Sequence, residues 1–183
     1  MMKFLYGFVA AILLAFIAGI VLIFSGAYNV AADKEHTRIA KWILGTAMTN
    51  SVKAHADAVA PPRFDDEEHA REGYRIFDEM CVQCHGAPGK RRGEVGLGLR
   101  PEPPELSEVA DRWSPAELLW IVKHGIIATG MPAFGSTHTE GELWDLVAFV
   151  RKLPGMTAEQ YRALEEGARA PHEHGQHEHQ HGH

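Results

Sequence analysis

Cysteine is the scarcest informative residue in this chain of 183: there are two, Cys81 and Cys84, three positions apart. With both inside one short motif, no structural disulfide is available to hold the fold together. Residues that alternate apolar and polar over a strand's length are also missing, as is any internal repeat, which excludes sandwiches, barrels and solenoids. Excess positive charge is absent too. The net charge of −6 speaks against nucleic acid as a partner. The length allows one domain with appendages.

What is present centres on Cys81-Val82-Gln83-Cys84-His85, a C-x-x-C-H. On a helical turn, positions i, i+3 and i+4 share a face, so two thiols and an imidazole point at one object. This is the attachment signature of c-type haem, with thioethers from Cys81 and Cys84 and with His85 on the iron. A thioredoxin-like dithiol needs a βαβ setting that the chain lacks, and a structural zinc needs two further ligands.

Ahead of the motif, Phe4 to Phe24 is 21 residues without a charge. A helix of that length crosses the ~30 Å hydrocarbon core of a bilayer. Lys3 and the amino terminus precede it, which places the N-terminus in the cytoplasm, although Lys34, Arg38 and Lys41 follow on the other side. Val30-Ala31-Ala32 resembles a signal cleavage site. The apolar run is longer than the roughly 7–15 residues of a signal core, so an uncleaved anchor is expected. Ile39, Trp42, Ile43, Thr46 and Ala47 then recur at helical spacing. They read as a linker whose apolar stripe suits the membrane interface, a partner's groove or a plain stalk. Pro61-Pro62 ends it.

Asp65 and Glu68 have the spacing of a capping box. Gly73, Tyr74, Phe77 and Met80 carry a helix from there into Cys81. From Gly86 to Leu106 the periodicity is lost, and the stretch reads as a loop wrapped around an apolar cofactor. Leu97, Leu99 and Leu106 are its expected lining. Lys90, Arg91 and Arg92 form a basic cluster there, either solvated or part of a docking patch near the cofactor. Ser114-Pro115-Ala116-Glu117 starts a helix ended by Gly125; Thr139 and Glu142 start another, stopped by Pro154. Thr157 to Gln160 opens a short last helix. The fold class is all-α, a haem domain preceded by an N-terminal transmembrane helix. The expected divisions are an anchor at 1–27, a linker at 28–62, the haem domain at 63–156, a C-terminal helix at 157–170 and a tail at 171–183.

A haem that only carries electrons is usually six-coordinate. Met131, 46 residues beyond His85 in Gly130-Met131-Pro132, is the expected second axial ligand. Met80 lies too close to the motif to cross the ring, and Met156 lies past the last core helix. His124 and His138 are the alternative ligands, each more simply a polar residue at a helix end.

Taken together, these motifs resemble the class I cytochrome c family from about Asp65 to Pro154. The resemblance implies a cytochrome c-like fold with one covalent haem c, carrying single electrons between larger redox complexes outside the cytoplasmic membrane. It also implies that an early glycine, here Gly73, crosses an aromatic of the late helix, here Trp144. A loop proline carbonyl accepts from the proximal imidazole; Pro104 is the best match and Pro101 its rival. Partners would be the membrane and other redox proteins or respiratory-complex subunits. No catalytic residue is expected. The competing readings are a haem sensor or peroxidase-like enzyme with an open iron position, and a copper-handling redox protein. The latter draws on the tail from Pro171 to His183, which holds six of the 12 histidines and suits weak copper, nickel or zinc binding.

Overall fold

The computed structural model describes residues 2–56 and 67–169. The expected boundary at Pro61-Pro62, the Asp65 cap and the His-rich tail lie outside the described residues. The chain divides into two units, residues 1–35 and 36–183. The first holds helix α1 (Met2–Phe24), which buries none of its residues. It is the one described helix long and apolar enough to cross a membrane.

The second unit is all-helical, with no strand among the described residues. It runs through α2 (Arg38–His55), α3 (Glu67–Met80), α4 (Val82–His85), α5 (Glu94–Gly98), α6 (Leu106–Val109), α7 (Pro115–His124), α8 (Glu140–Val150) and α9 (Ala158–Arg169). The ends of these helices follow from local chemistry. Ser114 and Glu117 form a reciprocal capping box with Pro115 in the first turn of α7, and Gly125, at φ +65°, closes that helix. Thr139 and Glu142 repeat the box at α8. Thr157 Oγ1 accepts from Gln160 N while Gln160 Oε1 accepts from Thr157 N, which starts α9.

The core forms where α3 crosses α8. A Cβ on Gly73 would collide with the Asp145 carbonyl, 2.6 Å from its carbon, and lie 2.8 Å from Phe149 Cβ. Glycine's place in the middle of α3, unfavourable by propensity, therefore has a packing reason. The atoms nearest to Gly73 belong to Asp145 and Phe149 rather than to the Trp144 ring, because Trp144 sits one position back on α8. Around the crossing, Tyr74 and Phe77 of α3, Phe149 of α8 and Tyr161 of α9 form an aromatic cluster with centroids 5.3–6.4 Å apart. Edge-on and tilted pairs of this kind contribute about 0.5–1.5 kcal/mol each beyond their burial.

Two peripheral helices are tied to this core. Tyr161 donates from its hydroxyl to Asp78 Oδ1 at 2.8 Å, and Lys90 Nζ reaches Asp78 and Glu165 at 3.0 and 3.2 Å, so α9 is fastened to α3 and to the loop after the motif. Burial first, then Asp78, holds the Tyr161 phenol well above its usual range. Helix α2 packs on α7, with Val52 fully buried and the His55 ring 6.0 Å from that of Trp120.

Candidate functional site

Cys81 and Cys84 both line one cavity of about 390 Å³, together with His85 and Met131. The motif is held as a single helical turn by His85 N donating to the Cys81 carbonyl at 2.9 Å. Gly86, at φ +68°, ends that turn, and a Cβ there would meet the Lys90 carbonyl at 2.9 Å. Behind it, Gly96 of α5 comes so close that a Cβ would lie 2.7 Å from the carbonyl oxygens of both Gln83 and Cys84. The short helix α5 is thus seated directly on the motif's backbone.

His85 Nδ1 lies 2.8 Å from the Pro104 carbonyl oxygen. A carbonyl only accepts, so Nδ1 carries the proton and Nε2 keeps its lone pair. Such a bond fixes both the ring's orientation and its tautomer, as is usual for a metal-binding imidazole. Burial holds the His85 imidazole below its usual range, the bond to Pro104 opposing and the Arg92 charge adding to the effect. Burial, with Cys84 nearby, pushes the Cys81 thiol up to about 12. Reactive or dithiol-exchanging cysteines have depressed values instead.

Met131, also in the lining, sits in the loop between α7 and α8, partly buried. Thr129 organises this loop: its Oγ1 donates to the Ile126 carbonyl at 2.7 Å and accepts from Met131 N at 3.1 Å. Gly125 has no room for a Cβ, which would lie 2.7 Å from Pro132, and the Leu99 side chain fills the space a Cβ on Gly130 would take.

Leu99, Leu106 and Pro104 line the cavity, and so does Pro101, although the carbonyl facing His85 is that of Pro104. Leu97 does not line it. With Gly96 pressed on the motif, the next residue of α5 turns outward and is 54% exposed. His124 and His138 are also outside the lining: the His124 ring lies tilted against Trp120 at 5.1 Å, and His138 bonds to Thr137 at 2.9 Å. Two residues of the basic cluster are engaged within the chain, Lys90 as described and Arg92 with Glu102 and Glu105, while Arg91 is exposed. Sequence reasoning missed several apolar walls, among them Met48 of α2, Trp113, Ile121 and Val150. Apolar periodicity marks such residues as buried without saying that a cavity is what they face.

The donor set and the lining fit a haem: two thiols and an oriented imidazole on one turn, a thioether in the same lining, and apolar side chains around them. Among protein families, the one described as "Cytochrome C oxidase, cbb3-type, subunit III" matches residues 68–150. The chain contains a class I c-type cytochrome domain. A cytochrome c domain implies electron transfer and haem c as the cofactor. The matched stretch covers the motif, the cavity loops and α8, and leaves out α1, α2 and α9. No curated protein matches the chain.

Proposed function

We propose that the chain is a membrane-anchored monohaem cytochrome c that carries single electrons. It would act as a subunit of a membrane redox complex or as a shuttle tethered beside one. The observation that carries this reading is the convergence of Cys81, Cys84, His85 and Met131 on one apolar cavity, with the His85 ring locked by Pro104. Haem c supplies the one-electron ferric/ferrous couple. The chain's own residues do the rest. Cys81 and Cys84 would hold the group covalently, His85 Nε2 and the Met131 thioether would be its iron ligands, and Leu99, Pro104 and Leu106 would exclude water.

A thioether donor and an apolar surround both favour the ferrous state and raise the potential. Two such ligands would limit rearrangement between oxidation states and would leave no open position for a small molecule. The length and composition of α1 support a membrane anchor. Lys3 ahead of it favours a cytoplasmic N-terminus, which puts the haem domain on the periplasmic side. Similarity to a family named for an oxidase subunit supports a place in or beside a respiratory complex.

The test is the visible spectrum of the purified full-length protein. The ferric form should show the far-red thioether-to-iron band, and Met131→Ala should lose it completely. A wild type without the band, or a variant that keeps it, removes Met131 from the site. Binding of carbon monoxide by the untreated ferrous wild type would favour an open-site sensor or peroxidase. A haem-stained native gel of membranes in mild detergent separates the two modes: a large assembly marks a subunit, a band near monomer mass a tethered shuttle.

A further inference from the structure

Helix α2 carries apolar residues on two opposite faces, and the haem domain uses one of them. Met48 lines the cavity and Val52 is fully buried. Ile39, Trp42 and Ile43, at i, i+3 and i+4, share another face and are 71%, 70% and 51% exposed. Met48 lies nine residues beyond Ile39, and Val52 nine beyond Ile43. Nine residues at about 3.6 per turn are two and a half turns, so the two sets point in opposite directions. Further along the outer face come Thr46, Asn50 and Lys53, all polar and all exposed. The exposed apolar surface is therefore confined to the first two turns of α2.

Those turns form the end of α2 that is joined to α1, through residues 25–37. That connection spans at most about 45 Å when fully extended. Apolar side chains near the spanning segment, giving way to polar ones farther along the same face, match the polarity gradient of a bilayer interface. Trp is enriched at that level, and amphipathic helices bury an apolar face roughly 5–10 Å into the headgroup–acyl boundary. A protein groove has no such reason to stop after two turns. We propose that the first two turns of α2 lie in the interface of the bilayer that α1 crosses, with Ile39, Trp42 and Ile43 among the lipids. This rests on the anchored reading above. Because Met48 of the same helix lines the cavity and Val52 is buried against the domain, the haem domain is then held at the membrane surface, not swung on a loose tether. It exchanges electrons from a fixed height.

The full chain is reconstituted into phosphatidylcholine–phosphatidylglycerol vesicles containing a phospholipid with a diazirine high on its acyl chain. After photolysis, lipid adducts are mapped by mass spectrometry. Adducts are expected within α1 and on residues 39–43, and not on residues 50–53. An Ile39→Ser/Ile43→Ser double variant, with its haem spectrum unchanged, should lose the second set and keep the first. Adducts on α1 alone, or spread evenly along the outer face of α2, would overturn the interfacial placement and leave the anchor standing. Absence of adducts from α1 as well would overturn the anchor itself.

Discussion

On the proximal wall of the cavity, both thiols and the imidazole come from five consecutive residues. They are braced from behind by a helix whose glycine touches their backbone and by one carbonyl at 2.8 Å. On the distal wall, Met131 hangs in a loop whose shape depends on one threonine hydroxyl, on glycines packed against Pro132 and Leu99, and on the two helices that the loop joins. The first wall is nearly self-contained. The second exists only once α7 and α8 are in place. On the proposed function, covalent attachment and a rigid proximal ligand suit a group that must never leave, whereas the distal ligand depends on a loop held by a few hydrogen bonds and close contacts.

Cutting the proximal wall should give the largest effect. Cys84→Ala should lower covalent haem retention sharply, read as loss of haem stain on a denaturing gel. If the stain is undiminished, the attachment site lies elsewhere. Next comes the crossing that positions both walls. Gly73→Ala places a Cβ inside the Asp145 carbonyl, on the crossing of α3 and α8. Overpacking of this kind should cost roughly 3 kcal/mol in denaturant unfolding. A change near zero would mean that α3 and α8 slide freely.

Thr129→Val sharpens the contrast, since it touches the distal wall alone. It removes the bonds to Ile126 and Met131 and should cost about 1 kcal/mol. It should also make the far-red band vanish at lower denaturant than in the wild type, with proximal attachment unaffected. Simultaneous loss of covalent haem would contradict the independence of the two walls.

The smallest effect concerns the start of α8, just beyond the distal loop. Hydrogen bonds from Thr139 N and Oγ1 hold the Glu142 carboxyl below its ordinary 4.5. A depressed carboxylate contributes stability above its unfolded value, and that contribution is lost as pH falls through the folded value. Melting curves taken from neutral to acid pH should therefore show a shallower acid-side decline for Glu142→Gln than for the wild type. Equal slopes would show that the box does not titrate.

Short motifs and loop punctuation single out Cys81, Cys84, His85 and Met131 in the sequence, and in the structure all four line one cavity. Pro104 was legible only through a resemblance, with Pro101 as a rival, since nothing in a Pro-rich stretch says which carbonyl will face the ring. Leu97 shows the limit of composition: it is apolar, close to Leu99 and turned outward, because Gly96 takes the inward position on α5. Met48 shows the opposite limit, since it lies far up the chain in what reads as a stalk and yet lines the cavity.

By itself the sequence determined the starts of α7, α8 and α9, the attachment motif and the apolar N-terminal segment, all of which depend on residues within a turn or two of one another. It did not mark α5, which lies in the stretch that reads as a loop, nor the end of α8 at Val150, short of Pro154. Tertiary structure alone decided which carbonyl orients His85, why Gly73 must be glycine and which face of α2 the domain takes. Each of these depends on the meeting of segments far apart in the chain, and local spacing carries no record of which surfaces will meet.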